Sequence, residues 1–113
     1  MQQLDFKSFR DGLGGVFCRR LGVNISACQS WMAFTSGMLA YNSSTNGYAL
    51  VRAAQRLAKV ASTGERALLV AVLHACDLSK VADKLSKNYT WQRMDEVFGE
   101  HRLAVAACIA RID

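Results

Sequence analysis

Residues 62–76 read STGERALLVAVLHAC, and from Ala67 to Cys76 the only polar side chain is His74. A helix on a protein surface shows polar residues every third or fourth position, whereas one that is apolar all round is buried. A run this short does not cross a bilayer. Ser62 and Glu65 mark its start with the S-x-x-E spacing of a capping box, in which each side chain accepts the other residue's free backbone N–H. Residues 64–76 are therefore predicted to form the central helix of a small globule.

The flanking sequence supplies the helices that cover it. Upstream, Phe6, Phe9, Leu13, Val16/Phe17 and Leu21 recur at three- and four-residue steps, predicting a helix over 5–21. Gly12, Gly14 and Gly15 interrupt this helix and mark a kink or a close approach, and Gly22 stops it. Ser26 and Gln29 form a second capping-box pattern, opening a helix that carries Cys28, Trp31, Met32, Phe34, Met38, Leu39 and Tyr41. Residues 42–47, NSSTNG, have the composition of a loop. Residues 48–61 are the cleanest amphipathic segment, with Leu50, Ala53, Ala54, Leu57, Val60 and Ala61 inward. Downstream, Asp77 is predicted to cap a short helix bearing Leu78, Val81, Ala82 and Leu85, and Thr90 to cap 91–98. Gly99 is a boundary, and 100–112 is a last helix whose apolar residues cover most of its circumference.

The composition agrees with this. The chain has 113 residues, no proline, 51% hydrophobic and 20% charged side chains, the balance of a globular chain with one core. There is no alternating strand pattern, internal repeat or linker. The expected fold is an all-α bundle of five to seven helices in one domain, residues 1–113, around buried helices at about 64–76 and 100–112. The amino-terminal residues MQQLDFKSFRDG carry acids and no apolar core, so a signal peptide is not expected, and the chain reads as cytoplasmic with no membrane partner. Cys18, Cys28, Cys76 and Cys108 are scattered among apolar neighbours and read as small hydrophobes rather than disulfides.

The net charge of +5 is uneven. Residues 1–59 hold seven Lys/Arg against two acids, Asp5 and Asp11, whereas 60–113 hold seven of each sign. Arg52, Arg56 and Lys59, at i, i+4 and i+7, form a basic stripe that Lys7, Arg10, Arg19 and Arg20 could extend. The stripe reads first as a solvated face, and second as a contact for an acidic partner or a nucleic-acid backbone. A helix-turn-helix layout can be drawn over 77–98, in which Thr90, Gln92 and Arg93 would open a recognition helix. Against it stand a turn without glycine, the core-like Trp91 and Met94, and the acids Asp95 and Glu96.

Chemistry is harder to find. His74 and Cys76 are two apart and point to different helix faces; His101 and Cys108 share a face but lack the close ligand pairs of a zinc site. Cysteine–histidine dyads oriented by Asp77 or Asp95 require exposed thiols, and these thiols sit in the most apolar stretches. His74 is expected in the core, hydrogen-bonded to a carbonyl or carboxylate. No phosphate loop, nucleophile elbow or metalloprotease motif occurs, so no catalytic residue, metal or cofactor is expected. Trp31, Phe34, Met38 and Tyr41 spread over more than one helix face, so either a partner protein or second copy covers them, or the helix packs on both sides. The function expected is a binding or regulatory module acting through protein contacts without catalysis, with a nucleic-acid-binding regulator as the alternative.

Overall fold

The computed structural model describes residues 4–44, 48–87 and 99–113. It is all-α, with seven helices and no strand among the described residues: α1 Phe6–Asp11, α2 Leu13–Arg20, α3 Trp31–Ser44, α4 Ala49–Ala58, α5 Thr63–Ala75, α6 Ser79–Leu85 and α7 Gly99–Ala110. The expected helix over 91–98, with its Thr90 cap, lies outside these residues.

The central helix is α5, as its composition requires. Ala67 through Leu73, and Ala75, are buried. Each buried leucine or valine contributes on the order of 1.5–3 kcal/mol from removal of apolar surface from water. The capping box forms in full: Glu65 N donates to Ser62 Oγ at 3.2 Å, and Ser62 N donates to Glu65 Oε1 at 2.9 Å. Helix α5 packs most extensively against α7, then α6, and also touches α4.

The expected first helix is two. Gly12 has φ −109° and ψ −137°, outside the helical region, and separates α1 from α2. The next two glycines make the close packing at this break feasible. A β-carbon on Gly14 would stand 2.5 Å from the Phe9 ring, and one on Gly15 would stand 2.1 Å from the Arg10 carbonyl oxygen. Gly22, at φ +89°, ends the unit in the left-handed region where glycine is favoured.

Several boundaries differ from expectation: α4, expected over 48–61, ends at Ala58, and Val60, expected inward, is 75% exposed. Helix α3 begins at Trp31 rather than near Ser26, and the hydroxyl that caps it is that of Ser30, accepting from Ala33 N at 3.1 Å. Residues 42–44, expected in a loop, continue α3. Asn42 is buried there, and its Oδ1 accepts from Val51 N at 3.2 Å, satisfying a donor in the first turn of α4. Asp77 does not cap α6. Its backbone is left-handed at φ +60°, and Leu78 occupies the N-cap position without a side-chain bond.

Helix α7 is less enclosed than its composition implies. Ala104, Val105, Ala107 and Cys108 are buried, but Ile109 is 53% exposed, and Leu103 with Ala104 and Ala107 faces an open cleft. Beyond α7 the chain closes back on the amino-terminal unit. The Ile112 carbonyl accepts from Phe6 N at 2.7 Å and from Trp31 Nε1 at 3.0 Å. Asp113 Oδ1 accepts from Trp31 N at 2.8 Å, serving the free N–H groups at the start of α3. No helix among the described residues is long and apolar enough to cross a membrane.

Candidate functional site

The aromatic residues of α3 turn inward. Trp31 is 4% exposed, Phe34 0% and Met38 1%, while Tyr41 is half-buried against the core. Trp31 and Phe34 join Phe6 and Phe9 in one cluster, with ring centroids 4.9 Å apart for Phe9–Trp31 and 5.0 Å for Phe6–Trp31. Such separations are those of favourable edge-on and tilted aromatic pairs. Trp31 and Phe34 are thus packed as core against α1, with Ile112 and Asp113 hydrogen-bonded to Trp31, and Met38 is buried with them, while Tyr41 keeps part of its surface.

The basic residues turn outward. Arg19 and Arg20 at the end of α2, and Arg52, Arg56 and Lys59 along α4, are all exposed. The opposite side of α4 buries Leu50, Ala53, Ala54 and Leu57, which fixes the cationic side towards solvent. At 3.6 residues per turn, Arg52, Arg56 and Lys59 fall within an arc of about 60°. Gln55 is exposed beside them.

Two further bonds bring the cationic elements together. Arg20 Nη1 bonds Glu65 Oε2, setting the end of α2 against the first turn of α5. Arg66 Nη2 donates to the Ala58 carbonyl at 2.7 Å, setting the end of α4 against that same turn. The sequence between Asp11 and Glu65 contains no acid. Glu65 itself is engaged on both oxygens, by Ser62 N and by Arg20. The ends of α2 and α4 thus both rest on the first turn of α5, where Arg20 is paired with Glu65, and the other acids of the chain lie outside 12–64 in the sequence.

Sequence spacing pointed to the three α4 cations but passed over Tyr48. This residue precedes α4, is 62% exposed, and has a left-handed backbone at φ +56°. Its carbonyl accepts from Arg52 N at 3.1 Å, so it stands one helical turn before the first cation of the stripe. The signal was present as the i, i+4 step from Tyr48 to Arg52, but a lone tyrosine at a helix start does not distinguish itself from a core residue.

Cys76 and Cys108, the thiols of the sketched dyads, are buried, and Asp95 lies outside the described residues. His74, expected in the core, is only half-buried, with Nε2 3.4 Å from Asp83 Oδ1, a carboxylate being one of the two partner types expected for it. Cys18, Cys76 and Cys108 are buried and free, and Cys28 is partly so. Burial pushes the Cys18 and Cys76 thiols up to about 12 from an ordinary 9.0, and Cys108 well above its ordinary value; neighbouring thiols add to the effect at Cys18 and Cys108. A thiol so displaced holds its proton at neutral pH and is a poor nucleophile. His101 instead packs against the helix start, where a β-carbon on Gly64 would stand 2.9 Å from its ring. No group of three His, Cys, Asp or Glu side chains among the described residues is placed to hold a metal ion.

A cleft of 780 Å³ opens between the α1–α2 break and α7, lined by apolar Phe9, Leu13, Val16, Leu103, Ala104 and Ala107. Among the described residues, Ser8, Asp11 and Glu100 are the polar side chains of its lining, with no Lys or Arg. Arg10 donates to Asp11 at 2.8 Å and holds that carboxyl below its ordinary range. Val16, expected on the core stripe, is 53% exposed in this cleft. Thr90, Gln92 and Arg93 of the helix-turn-helix layout lie outside the described residues. No family model, no curated protein and no solved structure matches the chain.

Proposed function

We propose that the protein is a non-catalytic helical binding module whose contact surface is the cationic corner of α2 and α4, and that its partner is a nucleic-acid backbone. The observation that carries this is the opposite fate of two candidate surfaces. Trp31, Phe34 and Met38 are buried, whereas Arg52, Arg56 and Lys59 are exposed on a helix with no acid. Cations arrayed in this way bind polyphosphate by displacing its condensed counterions, so affinity falls with salt. Charge of one sign also raises the rate of encounter with an acidic polymer.

The test is binding of the purified protein to mixed DNA and RNA across a salt series. Micromolar or tighter binding that weakens steeply with salt, and that is lost in the Arg52→Gln/Arg56→Gln/Lys59→Gln variant, supports this function. Failure to bind at low salt overturns it.

The cleft favours a second reading through protein contact, with a second copy of the chain as its occupant. An open apolar lining that includes an exposed valine attracts another apolar surface. Its acidic residues, Asp11 and Glu100, suit a chain of net charge +5. Under this reading the native mass is that of a dimer, and Val16→Glu returns it to a monomer. A monomeric wild-type mass removes it.

A further inference from the structure

We infer that the α4 face is a single-strand site, in which Tyr48 stacks on an unpaired base while Arg52, Arg56 and Lys59 follow the adjoining phosphates. This rests on the polyanion reading above and deepens it, because charge alone does not distinguish a single strand from a duplex. Proteins that bind single strands without sequence preference combine a cationic track with an exposed aromatic ring, since every base offers a π-face. Both features occur here, an exposed ring at the residue before α4 and exposed cations along it. Tyr48 is 62% exposed, and its carbonyl bonds Arg52 N, so its backbone lies one turn before the first cation. From Tyr48 to Lys59 the backbone runs about 16 Å, at 1.5 Å per residue.

The aromatic residues that hold the fold together, Phe6, Phe9, Trp31 and Phe34, are 4% exposed or less. Tyr48 stands apart from that group at the edge of the cationic face. Its left-handed backbone is uncommon for a bulky residue and costs on the order of 1–3 kcal/mol. An asparagine or glycine would occupy the same position with less strain.

The experiment compares three labelled probes of equal length by fluorescence anisotropy: oligo-dT, the same backbone without bases, and duplex DNA. The wild type is expected to bind oligo-dT about tenfold more tightly than the abasic strand, the ratio that one stacked base supplies. Tyr48→Phe keeps this ratio. Tyr48→Asn, which suits the left-handed backbone, lowers oligo-dT binding to the abasic level and leaves abasic binding unchanged. Thermal unfolding of each variant verifies that the fold is intact. Equal wild-type binding to oligo-dT and abasic strand overturns the single-strand site while leaving the polyanion reading standing. So does tighter binding to duplex than to oligo-dT, or undiminished oligo-dT binding by Tyr48→Asn. Absence of binding to all three probes removes both.

Discussion

Helices α3 and α4 are packed neighbours, and they put their most distinctive side chains to opposite uses. Helix α3 sends Trp31, Phe34 and Met38 into the interior and leaves Met32, Ala33, Gly37 and Ala40 outside. Helix α4 sends Leu50, Ala53, Ala54 and Leu57 inward and leaves Arg52, Gln55, Arg56 and Lys59 outside. The difference is one of solvation. A charged side chain cannot lose its water without a partner, so its position on a helix determines which side faces out. An aromatic side chain has no such obligation, and either a core or an interface satisfies it. Cations therefore locate a surface reliably, and aromatic residues do not.

The strongest way to break this comparison is to remove a ring from α3. Phe34→Ala is expected to destabilise the protein by about 3–5 kcal/mol, because it opens a cavity among Phe6, Phe9 and Trp31 that the surroundings refill only in part. Chemical denaturation would measure it. A loss below about 1 kcal/mol would mean that the aromatic side of α3 contributes little to the core and remains available to a partner.

The thiols provide the next largest effect, in the same contrast between inside and outside. The buried Cys18 and Cys76 titrate near 12 when folded, against an ordinary 9.0. A raised folded value for an acid means that the unfolded chain releases its proton first. Stability is therefore constant below pH 9 and falls as pH rises from 9 towards 12. At pH 10 the loss is on the order of 1 kcal/mol for each of these thiols. Cys18→Ala, compared with the wild type at pH 8 and pH 10, should abolish its share of that slope. An unchanged slope would place the thiol in contact with water, beside the exposed Arg19 and Arg20.

What could be read from the sequence follows from how local each signal is. The Ser62–Glu65 capping box forms as read, since both partners lie within one turn and the apolar run after them commits the helix. The similar spacing of Ser26 and Gln29 misleads because the helix starts later. Asp113, from the far end of the chain, and Ser30 meet the first N–H groups of α3. Residues 42–44 read as a loop by composition, yet Asn42 is turned to a non-local task on Val51 N. The glycine break at 12–15 was legible as a kink or as the approach of a neighbouring helix; it is a break into two helices, and the atoms close to Gly14 and Gly15 are those of Phe9 and Arg10. The two sides of α3 were not legible, because apolar residues occupy each and the periodicity carries no contrast. The cleft was hidden for a related reason: Val16 and Leu103 look like core side chains, and only the division of α1 from α2 leaves them facing an opening.

Asn42 tests how far the orientation of α4 depends on α3. Its Oδ1 is the side-chain acceptor for Val51 N, because Tyr48 offers no side-chain cap to the helix. Asn42→Ala leaves that donor without its acceptor, and the expected cost is about 1–2 kcal/mol. If α4 also shifts, oligonucleotide affinity falls with it, though every cation is intact. Loss of stability with unchanged affinity would show that the cationic row keeps its direction from the burial of Leu50, Ala54 and Leu57 alone.

The smallest expected effect on stability belongs to the face proposed to act. Arg52→Gln, Arg56→Gln and Lys59→Gln together should change unfolding free energy by no more than about 0.5 kcal/mol, since all three side chains are exposed and outside the core. Removal of three like charges from one arc also relieves mutual repulsion, so a small gain in stability is the expected sign. The contrast with Phe34→Ala is what gives the result its meaning. The α3 change should cost several kcal/mol and act on binding only through unfolding, whereas the α4 change should abolish nucleic-acid binding in a protein that melts where the wild type does. If the triple variant instead unfolds early, these cations support the structure, and the division between an interior aromatic helix and an exterior cationic one fails at its outer side.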